Sequence, residues 1–145
     1  MKTNFYYKFT ILISLFFYSC ESNALQENSI NWDSYGVPHI KASTKENLFF
    51  SQGWALMHNH ANKVLKLYGK SRGRSSEYWG EKYISNDYLV HTLGFSELAD
   101  QWESEQDPEL KMIYSNFVDG MNAYAENNPN NIDENRKNKT SERIR

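Results

Sequence analysis

The chain has 145 residues, which is enough for one domain, and a formal net charge of −2 with both signs mixed along the sequence. This balance excludes binding to nucleic acid through a broad basic surface, and the single cysteine excludes an internal disulfide. Aromatic residues make up 15% of the sequence, so we expect a buried core in its middle part.

Residues 1–19 have the pattern of a secretory signal peptide. Two lysines precede an apolar run from Phe9 to Tyr18, which is followed by Ser19 and Cys20. The run is too short to cross a bilayer as a helix. The position of Cys20 resembles the lipobox of bacterial lipoproteins, in which this cysteine is acylated. We therefore expect a lipid anchor at Cys20 and a location in the bacterial cell envelope, on the periplasmic or outer-membrane side; the alternative is an ordinary signal peptide with an incidental cysteine.

A polar tether, residues 20–29, is expected to lead from the anchor to a β-hairpin. The segment from Ile30 to Ala42 has the pattern of a strand, a tight turn and a second strand. Gly36 can take the positive φ that the turn requires. Pro38 cannot donate to a β-ladder, so the second strand is predicted to lie at a sheet edge.

A long helix is predicted directly after the hairpin. Ser43 and Glu46 form a capping-box pattern, so the helix should start near Thr44, and we expect it to run to Tyr68 and end at Gly69. Its apolar residues recur at steps of three and four, with a second apolar row beside them. A helix that is apolar on two sides packs between two other elements. The first face consists of Phe50, Trp54, Met57, Ala61, Val64 and Tyr68, and the second row of Phe49, Leu56 and Leu67.

Glycine and proline mark the remaining boundaries. Gly53, inside the long helix, indicates a kink or a close packing contact. A short helical turn should close at Gly80, and short helices should break near Gly94. Asp107 followed by Pro108 predicts the start of a final helix. The predicted fold class is therefore α+β, mainly helical with an N-terminal β-hairpin.

The final helix has an apolar and a polar side. The predicted buried residues are Leu110, Ile113, Tyr114, Phe117, Met121, Tyr124 and Ala125, and those opposite are Lys111, Ser115, Asp119, Asn122 and Glu126. Residues 129–145, after this helix, are rich in asparagine and charge and contain two isoleucines as their only aliphatic residues. Such a composition cannot form a core by itself, so we expect a disordered or frameshifted tail.

No catalytic residue and no metal ligand is assigned from residue chemistry alone. His58 and His60 are two residues apart on a helix and point in nearly opposite directions, so they cannot chelate one metal, and a structural role is the better interpretation. Asp33, His39 and a serine could be interpreted as a triad, but Asp33 lies at a turn and no G-x-S-x-G motif occurs. P-loop and dinucleotide-binding glycine patterns are also absent from the sequence.

Four sequence blocks, in the same order, resemble the penicillin acylase family, which also includes acyl-homoserine lactone and aculeacin acylases. The blocks are Trp32–Ala42, Asn47–Ala55, Arg72–Gly80 and Phe117–Tyr124. The resemblance places residues 30–128 in the N-terminal part of the small subunit of such an enzyme. It implies the αββα sandwich of N-terminal-nucleophile hydrolases.

The resemblance further implies a longer precursor, cut into a small and a large subunit. The nucleophile is then the N-terminal serine of the large subunit, with its own α-amine as the base, so the catalytic serine is not in this chain. The implied partner is the remainder of the acylase. Some relatives bind calcium, for which no ligand is assignable here.

Three hypotheses follow from the sequence. The first is an N-terminal fragment of an exported amidohydrolase, inactive alone, that acts on an N-acylated substrate such as a β-lactam or an acyl-homoserine lactone. The second is a lipid-anchored, non-catalytic binding or assembly domain. The third is a pseudogene product that does not fold stably. The two-sided apolar helix favours the first hypothesis, because a domain that stands alone should cover such a surface.

Overall fold

The structure is a computed structural model that describes residues 28–133. Two strands, β1 (Ser29–Trp32) and β2 (Pro38–Lys41), precede five helices. The helices are α1 (Lys45–Ser71), α2 (Ser75–Trp79), α3 (Ile84–Thr92), α4 (Phe95–Glu105) and α5 (Pro108–Asn127). Short 3₁₀ helices occupy Glu81–Tyr83 and Pro129–Asn131. The predicted fold class, mainly helical with an N-terminal hairpin, is confirmed.

The hairpin is antiparallel, with Ile30 opposite Ile40 and Trp32 opposite Pro38. The carboxylate of Asp33 closes the turn because it accepts the backbone N–H groups of Tyr35 at 2.9 Å and Val37 at 3.0 Å. Gly36 has a φ of 77°, as predicted for this turn. Residues 28–133 contain only these two strands, and the four-layer sandwich therefore stays a prediction.

Helix α1 differs from its predicted boundaries at both ends. Its N-cap is Thr44, not Ser43: the Thr44 hydroxyl accepts the backbone N–H of Asn47 at 3.2 Å. The predicted end at Gly69 is wrong, because the helix continues to Ser71. Gly69 is instead a contact point, since a Cβ atom there would lie 2.7 Å from the ring of Trp79.

Helices α1 and α5 form the centre of the fold and run in the same direction. They touch backbone to backbone at Gly53 and Gly120: a methyl group at Gly53 would overlap the carbonyl oxygen of Phe117, and one at Gly120 would overlap that of Phe50. The prediction of a close contact at Gly53 is confirmed. The kink in α1 lies further along, at His60, whose φ of −141° and ψ of 25° are not helical.

The buried core lies along this helix pair, beyond the glycine contact. It consists of Met57, Ala61, Leu65, Met121, Tyr124 and Ile132. Ile132 is only 5% exposed, so the first five residues of the predicted tail, 129–133, belong to the folded part. The rest of that segment, 134–145, lies outside the described residues, as does the predicted signal and anchor segment.

Two residues of α5 have the opposite burial from that predicted. Asn122, predicted on the polar side, is buried, and Tyr114, predicted in the core, is 57% exposed. Both line a groove between α4 and α5, next to Tyr68 of α1. Helical periodicity alone does not reveal this groove, because its position depends on how the chain crosses from α1 back to α5.

The crossover from α1 to α5 is made by α2, α3 and α4. Its turns lie at Gly73, Gly80 and Gly94, whose φ values of 64°, 88° and 65° are in the left-handed region. The predicted breaks at Gly80 and Gly94 are confirmed. Within residues 28–133, no helix is both long and apolar enough to span a membrane.

Candidate functional site

The structure brings Asp33 and His39 together on the hairpin. The His39 Nε2 atom lies 3.2 Å from the Asp33 Oδ2 atom, and His39 is exposed to solvent. The hydrogen bond from the backbone N–H of Val37, and then the one from the His39 side chain, hold the pKa of Asp33 below its usual value. No hydrogen bond described for residues 28–133 joins a serine hydroxyl to His39. The pair therefore stabilises the turn of the hairpin, and within the described region it forms no complete Asp-His-Ser triad.

His58 lies in an aromatic cluster between the hairpin and α1. Its ring stacks on that of Trp54, with the ring centroids 5.4 Å apart and an interplanar angle of 19°. The Trp32 ring centroid lies 4.5 Å from His58, and the Tyr124 ring meets both His58 and Trp54 edge-on. These contacts support the structural interpretation of His58.

The side-chain amide of Asn59 fastens the hairpin to α1. Its Oδ1 atom accepts the indole N–H of Trp32 at 3.2 Å, and its Nδ2 atom donates to the carbonyl of Gly36 at 3.3 Å. The His58 Nδ1 atom lies 3.1 Å from the same Oδ1 atom. The sequence alone does not reveal this role of Asn59, because its partners are 23 and 27 residues away.

A polar cavity of about 340 Å³ lies at the α1 kink, and residues 58–63, Tyr124 and Asn131 line it. Its polar groups bond to one another. Asn62 donates to the carbonyl of Asn131 at 3.3 Å and accepts the backbone N–H of Asp133 at 2.8 Å, and Asn131 donates to the hydroxyl of Tyr124 at 2.9 Å. These bonds hold the segment after α5 against α1. In the described part of the chain, no three His, Cys, Asp or Glu side chains are grouped to hold a metal ion.

The groove between α4 and α5 is the larger concave surface, about 760 Å³ in volume. Its apolar lining includes Trp102 from α4 and Tyr114 and Val118 from α5, and its rim carries Glu103 and Lys111. Trp102 is 56% exposed. The signal for this surface is the spacing of Phe95, Leu98, Ala99 and Trp102, which places four apolar residues on one side of α4.

Helix α3 adds further apolar residues to the exterior. Tyr88 is 72% exposed, and Ile84, Leu89 and Leu93, the residue directly after the helix, are each more than half exposed. Only Val90 and Asp87 of this helix are buried. The crossover helices therefore expose an apolar outer surface, which consists of Ile84, Tyr88, Leu89, Leu93, Phe95 and Trp102.

Comparison with known proteins identifies the family. The penicillin amidase family model matches residues 27–135, which include every strand and helix described above. An acyl-homoserine lactone acylase, QuiP, from Pseudomonas fluorescens is 24% identical over 99 residues, which are 68% of this chain and 12% of that protein. The penicillin acylase 2 proenzyme of a Pseudomonas species is 27% identical over 92 residues, which are 63% of this chain and 12% of the proenzyme.

The fold agrees with this match. A thermostable penicillin G acylase from Alcaligenes faecalis superposes with a TM-score of 0.68 at 20% sequence identity, over 82% of this chain and 65% of that chain. The chain spans about an eighth of the length of the curated relatives it matches. The chain belongs to the penicillin amidase family.

Proposed function

We propose that this chain is the N-terminal part of the small subunit of an exported amidohydrolase that cleaves the amide bond of an N-acylated substrate. The observation that carries the proposal is the family match over residues 27–135, which includes the hairpin, the α1–α5 pair and the crossover. Two relatives are named as an acyl-homoserine lactone acylase and a penicillin acylase. The proposed substrates are accordingly acyl-homoserine lactones, β-lactams or similar N-acylated amines.

In this proposal the remainder of the acylase, the large subunit, supplies the catalytic serine. The Asp33–His39 pair has no serine partner among the described hydrogen bonds, and it is exposed on a hairpin rather than placed in a cleft. The short span of this chain relative to its relatives agrees with a missing catalytic part. The chain alone is then inactive.

The apolar outer surface on α3 and α4 supports the same proposal. Isolated soluble domains rarely expose large contiguous apolar patches, and such patches mark protein or ligand contacts. Within an acylase, this surface and the open groove would be available for packing against the rest of the enzyme. The chain would contribute structure to the complex rather than a reacting group.

We also propose that Cys20 is acylated and anchors the protein in the bacterial cell envelope. The basic residues, the apolar run from Phe9 to Tyr18 and the small residue before Cys20 support export and anchoring. Residues 20–29 would then connect the anchor to β1.

The test is amide hydrolysis by this chain together with the polypeptide encoded by the DNA that follows the Arg145 codon. The two are expressed together and separately, and amine release is measured from penicillin G and from acyl-homoserine lactones of several chain lengths. We expect hydrolysis of at least one substrate when both are present and none with either alone. A co-purifying pair that hydrolyses no N-acyl amide would contradict the enzyme and support a non-catalytic assembly domain.

A further inference from the structure

Three lysines surround the ring of Tyr83. The Nζ atoms of Lys66, Lys70 and Lys82 lie 5.7, 5.8 and 5.3 Å from the centre of this ring. Each distance is within the range of a cation–π contact, so a single aromatic side chain meets three ammonium groups. We call these four residues the lysine cluster.

Local structure explains how the cluster is assembled. Lys66 and Lys70 are four residues apart on α1 and therefore lie on the same side of the helix. Trp79 packs its ring against Gly69, which brings α2 directly onto α1. The left-handed φ of 88° at Gly80 then turns the chain into the 3₁₀ helix that carries the other two members of the cluster. The rings of Trp79 and Tyr83 meet at an interplanar angle of 66° with their centroids 6.3 Å apart, and this contact helps fix the position of Tyr83.

The positive charge of the cluster is not balanced by a described ion pair. The ion pairs found among residues 28–133 are His39–Asp33, Lys45–Glu109 and Arg74–Glu77, and none of them uses a lysine of the cluster. Glu81, the neighbour of Lys82, forms no ion pair with it. The hydrogen bond from Lys66, and then the charges of Lys66, Lys82 and Lys70, lower the pKa of Tyr83, as expected where the potential is positive.

We propose that the lysine cluster binds a phosphate-bearing anion. Three ammonium groups and a phenolic O–H can donate to several oxygens at once, and a phosphate group offers multiple oxygens and up to two negative charges. A single carboxylate offers two oxygens and one charge, which matches the cluster less well. The phosphate can come from an anionic phospholipid headgroup or from a soluble phosphate ester. This site is independent of the acylase chemistry and uses none of the residues assigned to it.

The first test is protection of individual lysines from acetylation, measured by mass spectrometry. It uses the chain without residues 1–19 and with Cys20→Ser, which retains every described residue and removes acylation. Inorganic phosphate is compared with sodium chloride at equal ionic strength. We expect phosphate at twice its Kd to slow acetylation of Lys66, Lys70 and Lys82 about threefold. Acetylation of Lys41 and Lys111, outside the cluster, should not change.

The second test identifies the source of the phosphate. Flotation is measured with vesicles of phosphatidylcholine alone and with vesicles of phosphatidylcholine and phosphatidylglycerol in equal amounts. One variant carries Lys66→Gln, Lys70→Gln and Lys82→Gln, and a control with the same charge change carries Lys41→Gln, Lys45→Gln and Lys111→Gln. Circular dichroism confirms that both variants keep their helices.

Each outcome decides the proposal. Binding to the phosphatidylglycerol vesicles that only the cluster variant loses would support the site and assign it to a lipid headgroup. Protection by inorganic phosphate without vesicle binding would support the site and assign it to a soluble phosphate ester. Absence of both effects would overturn the proposal. Equal loss of vesicle binding in the two variants, without protection by phosphate, would also overturn it, because binding would then follow net charge alone.

Discussion

At the scale of single residues, Asp87 shows how the crossover holds a buried charge. Asp87 is 6% exposed, and its carboxylate accepts the backbone N–H of Ser75 at 2.9 Å and the backbone N–H and hydroxyl of Ser76, each at 2.6 Å. The Asn86 amide donates to it at 3.3 Å. Burial raises the pKa of Asp87, but the hydrogen bonds from Ser76, Ser75 and Asn86 together lower it below its ordinary value.

The substitution Asp87→Asn should lower the free energy of unfolding by about 1–3 kcal/mol, because an amide cannot accept all of these donors. Since the folded-state pKa of Asp87 is lowered, its stabilisation is present above the unfolded-state pKa of about 3.9 and is lost as the pH falls through the folded-state pKa. The difference in the free energy of unfolding between the wild type and Asp87→Asn, measured by urea unfolding at one protein concentration, should therefore be constant near neutral pH. In acid the difference should become smaller.

Asp100→Asn is the matched control for Asp87→Asn, because Asp100 is exposed on α4. Its free energy of unfolding should stay within about 0.5 kcal/mol of the wild type. Two outcomes would show that the carboxylate does not hold the start of α2 in this way. One is an equal free energy of unfolding for the two variants. The other is a difference in free energy of unfolding between the wild type and Asp87→Asn that becomes larger in acid.

Cys20 is the residue on which the proposed location depends. Cys20→Ser should abolish incorporation of a fatty-acid label and release the protein from the membrane fraction, because the serine hydroxyl does not replace the acylated thiol. Ser19→Ala keeps a small residue before the cysteine and should leave labelling intact. An unlabelled wild-type protein that is found outside the membrane fraction would refute the lipid anchor and support an ordinary signal peptide.

At the scale of secondary-structure elements, the α1–α5 contact depends on two glycines. Each lies three residues after a phenylalanine, and each faces the carbonyl of the phenylalanine on the other helix. The two helices can approach this closely only without side chains at Gly53 and Gly120. Close approach also allows Cα–H···O contacts between the two backbones.

Gly53→Ala and Gly120→Ala should each destabilise the fold by about 1–3 kcal/mol, because the added methyl group overlaps a backbone carbonyl that cannot rotate away. Gly69→Ala is the matched control: its methyl group meets the ring of Trp79, a side chain that can move, and alanine gains about 1 kcal/mol of helix propensity over glycine. In thermal unfolding, the melting temperature of Gly69→Ala should be well above those of Gly53→Ala and Gly120→Ala. Equal melting temperatures for the three variants would contradict the close contact.

The elements that the sequence predicted correctly depend on local signals. Asp107 accepts the N–H of Leu110 at 2.9 Å, and Pro108 is the first residue of α5, as the cap pattern indicated. The turns at Gly80 and Gly94 likewise need only the conformational freedom of one residue. Hydrophobic periodicity predicted α1 because it contacts other elements on two sides.

The elements that were missed depend on residues far apart in the sequence. Gly69 has the pattern of a helix end, but the ring of Trp79 occupies its surface and the helix continues. Ile132 follows a polar segment, yet Asn62 on α1 binds the backbone of Asp133 and draws Ile132 into the core. The candidate site was less predictable than the fold, because the roles of Asn59 and of the lysine cluster arise only after the crossover brings separate elements together.

At the scale of the whole molecule, the described fold combines a buried core along a helix pair with exposed apolar residues on the crossover. The core residues lie between α1, α5 and the segment after α5, whereas Leu89, Leu93 and Trp102 each expose more than half of their surface. We expect this apolar outer surface to pack against the remainder of the acylase. Its exposure should make the isolated chain associate with itself.

Leu89→Glu combined with Leu93→Glu should reduce this self-association without lowering helix content, because both side chains are exposed, Leu89 on α3 and Leu93 directly after it. Val90→Glu is the contrasting variant: Val90 is 6% exposed, so a carboxylate there should unfold the crossover. Dynamic light scattering and circular dichroism over a range of protein concentrations measure the two effects. If the wild-type chain has the same hydrodynamic radius as the double variant at every protein concentration, the apolar outer surface does not cause self-association.

The most direct test of the account is the assembly state and melting of this chain, with Cys20→Ser and without residues 1–19, alone and with the remaining acylase polypeptide. Sedimentation velocity and calorimetry are measured on each sample. The account predicts that the chain alone self-associates and melts broadly, and that with the partner it forms a one-to-one complex with a single sharp transition at higher temperature. A monomer that melts in one sharp transition, unchanged by the partner polypeptide, would contradict the claim that this chain is one part of a larger acylase.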